Sequence, residues 1–177
     1  ELHIGRFTSI NGPNTSVYCS INPVLIGSFC SIARDVTIQE YDHNLSRVST
    51  YFMSGNIFKD PCPNTDIVSK GTISIGSDVW IGAKSTILSG SIIGHGCVIG
   101  ANSVVKGQFP PYSIIAGSPG RVVRMRFDEN SINKLLELNW WNWSKEKLNR
   151  FRPFFSEKFT PNLLDSFITA AQNDEIS

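Results

Sequence analysis

The sequence has no surplus of charge of either sign: sixteen Lys and Arg stand against fifteen Asp and Glu, a formal net charge of +1. It therefore lacks the field that recruits nucleic acid or an anionic membrane, and any anion must be held by a local cluster. Cysteine is scarce. Cys19, Cys30, Cys62 and Cys97 are scattered with no CxxC or CxH spacing, so no zinc site is read from them and reduced thiols are expected. No run approaches the roughly 20 apolar residues of a membrane helix, and no apolar signal segment opens the chain. A cytoplasmic protein without a transmembrane segment is expected. A serine nucleophile elbow, a paired-carboxylate signature and a phosphate-cradling glycine loop are also missing, which leaves covalent and phosphoryl-transfer chemistry without support. Because Glu1 enters a repeat at once, further sequence is expected ahead of it.

What is present is a period. From Ile75 an aliphatic residue returns at every sixth position, through Ile81, Ile87, Ile93 and Ile99 to Val105. By chance this would occur about once in several thousand trials. The same phase appears at Ile4 and Ile10, and again at Ile26, Ile32 and Ile38, while Val79, Ser85, Cys97 and Ser103 recur four places after the aliphatic. Six matches neither the helical period of 3.6 nor simple alternation; it is the period of a parallel β-helix with one short strand per repeat and three per turn. The aliphatic points into a narrow core, and the Gly that often follows it is expected to permit the corner bend. Crossover preference alone would favour a right hand, so the hand cannot be read from the repeat.

The 177 residues suit one compact domain with a small appendage. The expected division is a coil over 1–120, interrupted by a protruding loop at about 39–70, and a helical extension over 121–177. The loop is long for a connection without a repeat or an evident helix, and such loops are functional or disordered; Tyr41, Tyr51, Phe52 and Phe58 argue against disorder. In the extension, Asp128, Ser144 and Thr160 read as N-caps, the last followed by Pro161 at the first helical position.

Among the three histidines, His3 reads as a corner residue and His95 as a solvent-facing one. His43 lies in the loop between Asp42 and Asn44, where a substrate can reach it, and imidazole is suited to taking a proton from a hydroxyl at neutral pH. Positive charge gathers at Lys106, Arg121, Arg124 and Arg126, and guanidinium forks suit phosphate oxygens.

The repeats resemble those of the hexapeptide-repeat acyltransferases, whose fold is a left-handed parallel β-helix. More narrowly, DVWIG (78–82), GANSVV (100–105), AGSPGRVVRMRF (116–127) and LLELNWWNW (135–143) resemble the xenobiotic acetyltransferase branch. The resemblance implies a homotrimer with acetyl-CoA lying between adjacent coils, no metal, and His43 as the base that deprotonates the acceptor hydroxyl. It implies cofactor contacts at Trp80, Gly82, Ala83, Ala101, Val105, Lys106, Pro119, Arg121 and Arg124, and places the acceptor against Asp42, Tyr51 and Phe52. Antibiotic-modifying members carry Asn before the catalytic histidine; the Asp42 here, in DHNLSRVST, is more like loops of enzymes that acetylate bacterial surface saccharides. O-acetylation of a saccharide is therefore the leading expectation. Chloramphenicol- or streptogramin-type O-acetylation and amino-sugar N-acetylation follow it. A γ-type carbonic anhydrase, which needs three converging imidazoles, and a non-catalytic β-helix come from other classes.

Overall fold

Each six-residue repeat forms one short strand, and the strands stack on three faces. The computed structural model of the chain describes residues 1–60 and 63–176. Cys62, read above as a reduced thiol, lies outside them. The first face holds β1 (Leu2–Ile4), β4 (Val24–Ile26), β9 (Ile73–Ile75), β12 (Ile92–Ile93) and β15 (Gln108–Phe109). The second holds β2 (Ser9–Ile10), β5 (Ser31–Ile32), β10 (Trp80–Ile81), β13 (Val98–Ile99), β16 (Ser113–Gly117) and, antiparallel at its edge, β17 (Gly120–Met125). The third holds β3 (Ser16–Tyr18), β6 (Thr37–Gln39), β11 (Thr86–Leu88) and β14 (Val104–Val105).

Parallel pairing keeps like residues in register. One ladder runs Ile4, Ile26, Ile75, Ile93 and Phe109; a second runs Ile10, Ile32, Ile81, Ile99 and Ile115; a third runs Val17, Ile38, Ile87 and Val105. Their interior rungs form one buried cluster, to which Val79 and Cys97 from the fourth position after the aliphatic also belong. Ser85 and Ser103, also inward, are fully buried, and the Ser85 hydroxyl donates to the Gly100 carbonyl at 3.0 Å. The Cys30 and Cys97 thiols donate to carbonyls of the following turn, those of Gly76 and Pro110, and burial pushes both thiols up.

The glycine beside the aliphatic has a different cause from the one expected. Positive φ falls two residues later, on Phe29, Asp35, Asp78, Lys84 and Asn102, so the corner bend does not require that glycine. Close stacking does: a Cβ on Gly76 would stand 2.6 Å from the His95 nitrogen, and one on Gly82 2.6 Å from the Ala101 nitrogen.

Between the third face and the next turn the chain leaves the coil as a hairpin, β7 (Tyr41–His43) paired antiparallel with β8 (Ile67–Ser69). The segment between them, expected to lack an evident helix, contains a π-helical turn at Met53–Phe58 and a 3₁₀ turn at Pro63–Asp66. Asp66, with a side chain 1% exposed, organises it, pairing with Arg47 at 3.1 Å and accepting from the Gly55 amide at 3.1 Å.

By its contacts the chain divides into residues 1–126 and 127–177. The second unit contains α1 (Glu129–Leu138), α2 (Lys145–Arg150), α3 (Arg152–Ser156) and α4 (Pro161–Ile176). Asp128 accepts from the Ser131 amide, Ser144 from that of Lys147 and Thr160 from that of Leu163, so all three expected caps are in place. Trp143, Phe151 and Ala171 form a buried cluster in it, with Trp140 and Phe167 packed against them. Among the described residues, no helix is long and apolar enough to cross a membrane.

Candidate active site

His43 is positioned from Glu40 outward. Where the coil ends and the hairpin begins, the Glu40 carboxylate is fully buried. One of its oxygens accepts from the Ser20 and Ile21 amides at 3.0 Å each, the other from Asn22 at 3.2 Å. Asn22 also donates to Ser69 at 2.9 Å, and the Ser69 hydroxyl donates to the Glu40 carbonyl at 3.1 Å, so both hairpin strands are tied to the coil. Burial by itself raises this carboxyl, but the hydrogen bonds from Ser69, Ser20, Ile21 and Asn22 together hold it below its ordinary value.

Three residues on, His43 Nδ1 lies 2.6 Å from the Thr50 carbonyl oxygen. A carbonyl only accepts, so the contact places the proton on Nδ1 and leaves the Nε2 lone pair available as a base. The ring meets Phe52 edge-on at 4.6 Å. Tyr18, Gln39, Tyr41, Asp42, His43 and Phe52 line one open recess. Of the expected acceptor residues, Asp42 and Phe52 are in it, while Tyr51 stands outside its lining. Tyr18 and Gln39 had no signal in the sequence, because the register that stacks them is a property of the coil, whereas Tyr41, named above only as a loop aromatic, lies two residues before His43 on β7.

The expected cofactor residues divide between faces. Trp80, 56% exposed on β10, lines a groove with Ser31, Ala33, Arg34 and Ala83. Small residues continue along this corner: Gly82 stacks on Ala101, and Gly100 stands against Ala116. Pro119 sits in the turn between β16 and β17, and Arg121 and Arg124 are exposed on β17 of the same sheet, each bonded to a neighbouring carbonyl. Arg126 is not available with them. It pairs with Asp78 of the DVWIG segment at 3.2 Å, donates to the Gly96 carbonyl at 2.7 Å and lies over the Tyr112 ring, which makes it a fastening of the coil. The Val105 side chain is fully buried in the core, so it offers a cofactor only backbone. Lys106 is on the third face, not in the Trp80 groove: it follows Val105, one step beyond the Leu88 and Gln39 pair.

The other imidazoles differ from expectation. His3 is in strand β1 rather than at a corner, 2.9 Å from the Glu1 carboxylate. His95 is half-buried rather than solvent-facing, and its Nδ1 accepts from the Ser77 amide at 2.9 Å; burial lowers its pKa. Among the described residues, no three His, Cys, Asp or Glu side chains are grouped as metal ligands would be.

Residues 72–107 match the family model described as bacterial transferase hexapeptide (six repeats). The chain is 40% identical over 132 residues to a probable macrolide acetyltransferase of Lysinibacillus sphaericus, covering 71% of this chain and 72% of that protein. It is 36% identical over 141 residues to a chloramphenicol acetyltransferase of Klebsiella aerogenes, covering 75% of this chain but only 66% of the relative's length. The crystal structure of a maltose O-acetyltransferase from Clostridium difficile 630 shares its fold with a TM-score of 0.56 at 26% identity, over 72% of this chain and 60% of that one.

Proposed function

The chain belongs to the hexapeptide-repeat acetyltransferases, with relatives of the chloramphenicol acetyltransferase type, and from that membership we propose that it moves acetyl from acetyl-CoA to a saccharide hydroxyl in bacterial surface polysaccharide assembly. The observation that carries the reading is the 2.6 Å contact of His43 Nδ1 with the Thr50 carbonyl, which leaves Nε2 as the base in an open recess. Nε2 takes the hydroxyl proton as the oxygen attacks the thioester carbonyl. The tetrahedral adduct then expels the CoA thiolate, which recovers that proton from Nε2–H, and an ester is left on the acceptor. Aromatic faces at Tyr18, Tyr41 and Phe52, with polar groups at Gln39 and Asp42, suit a sugar ring, whose C–H faces stack and whose hydroxyls need partners.

CoA is assigned to the small-residue corner: Trp80, Gly82, Ala83 and Ala101 beside the pantetheine arm, and Pro119, Arg121 and Arg124 toward the phosphates, where guanidinium forks fit. Because this corner and the His43 recess lie on different faces of one chain, the reading needs a homotrimer in which one copy's corner meets the next copy's hairpin. A second reading, acetylation of an antibiotic hydroxyl, is supported by the names of the chloramphenicol and macrolide relatives.

Thiol release from acetyl-CoA, measured across neutral and acidic saccharides, chloramphenicol and a macrolide, separates the two. His43→Ala is expected to lower turnover about 10²- to 10⁴-fold with the fold retained. Unchanged turnover in that variant defeats the mechanism, and turnover with antibiotics alone selects the second reading.

A further inference from the structure

We propose that Asp66 is the positioning residue for His43: its carboxylate clamps both ends of the exposed segment whose Thr50 carbonyl and Phe52 ring set the tautomer and orientation of the imidazole. The inference rests on the reading of His43 as the base and deepens it. Asp66 does not line the recess and acts through the segment it holds.

Residues 45–51 are exposed, so burial does not fix the path of the chain between the end of β7 and Phe52. Two parts of that path nevertheless meet one imidazole, Thr50 at Nδ1 and Phe52 at the ring face. A carbonyl on an exposed stretch holds a neighbour in one geometry only when the chain on either side of it is itself held. Asp66 supplies both holds. Ahead of Thr50, the Arg47 guanidinium donates to one carboxylate oxygen at 3.1 Å; beyond Phe52, the Gly55 amide donates to the other at 3.1 Å. Thr50, Tyr51 and Phe52 are thus the middle of a short bridge anchored at Arg47 and Gly55. The π-helical turn at Met53–Phe58 braces the second anchor, since its buried Ser54 accepts from Arg47 at 3.5 Å and stands 3.2 Å from the Thr65 hydroxyl.

Asp66 is also fixed to the strand that carries the imidazole. Its carbonyl accepts from the Asn44 amide at 3.0 Å, and Ile67, the next residue, is the register partner of His43. One carboxylate therefore relates the imidazole to the two groups that face it. Because that side chain is 1% exposed, water cannot replace a lost partner, and each arm is a charge-assisted bond of the stronger kind. Glu40, also buried, does not serve this purpose. Its partners are Ser20, Ile21 and Asn22, so it fixes the root of β7 and leaves Thr50 unguided.

The test is the ring ¹⁵N spectrum of the labelled full chain in Asp66→Asn and in Arg47→Met, the second removing one arm from the surface side should the buried change prevent folding. Wild type is expected to show the single Nδ1–H tautomer at His43, each variant a mixture of tautomers, and Arg47→Lys, which keeps a cation beside Asp66, the wild-type ring. The coil amides of Ile81 and Ile99 are expected to stay in place. A merely structural Asp66 would lower the unfolding midpoint and leave the His43 ring shifts as in wild type; that result overturns the proposal, as does equal movement of the coil amides. With an acceptor found by thiol release, kcat of either variant is expected to fall about 10²-fold, the cost of a displacement of about 1 Å, with KM for acetyl-CoA unchanged. A displaced tautomer with full turnover supports the clamp and tells against His43 as the base, so the two readings fail separately.

Discussion

His43 and His95 are held in opposite tautomers by what each Nδ1 faces. Against the Thr50 carbonyl, His43 Nδ1 must donate; against the Ser77 amide, His95 Nδ1 must accept, which places its proton on Nε2. Ring ¹⁵N shifts are expected to show Nδ1–H in His43 and Nε2–H in His95, and a shared tautomer would contradict the geometry. The pH consequence belongs to His95, whose pKa burial lowers from 6.5. A histidine depressed in the folded state contributes stability above its unfolded pKa and loses it as pH falls toward the folded one. Thermal stability is therefore expected to drop as pH goes below about 6.5, and less steeply in His95→Gln. Glu40, at the base of the hairpin, acts lower on the pH scale. Glu40 is held below 4.5, so its contribution is complete above that value and is lost as pH falls beneath it.

At the scale of elements, the hairpin and the coil fail differently. Glu40→Ala leaves the Ser20 and Ile21 amides and the Asn22 side chain without their carboxylate. A loss of about 1–3 kcal/mol is expected, read as faster hydrogen exchange through 40–70 and lower turnover. In the coil, Gly82→Ala drives a methyl against the backbone of the next turn, 2.6 Å from the Ala101 nitrogen. Overpacking of this kind costs about 1–3 kcal/mol, measurable by denaturant unfolding.

At the scale of the whole molecule, the two halves of the proposed site lie on separate faces of one chain, the Trp80 groove on the second and the His43 recess beyond the third. If copies complete each other's sites, His43→Ala and the double variant Arg121→Glu, Arg124→Glu, each inactive alone, should recover activity when refolded together. About a quarter of the interfaces in an equal mixture then join two intact faces. Thiol release from acetyl-CoA measures it, and no recovery would place both halves within one copy.

The sequence by itself determined the coil, because in a stack of identical turns the inward contact of each residue recurs at a fixed spacing, and Ile75, Ile81, Ile87, Ile93, Ile99 and Val105 record it directly. It also determined the caps at Asp128, Ser144 and Thr160, which act within three residues, and it marked His43 as the exceptional imidazole. Only the tertiary structure decided what His43 faces, since stacking brings Tyr18 and Gln39 to its recess from different turns. Likewise only the folded chain brings Lys70 to Asp42 and ties Arg126 to Asp78. Such pairings depend on which turn lies above which, and the length of the hairpin inserted between turns hides that from any pattern of neighbouring residues.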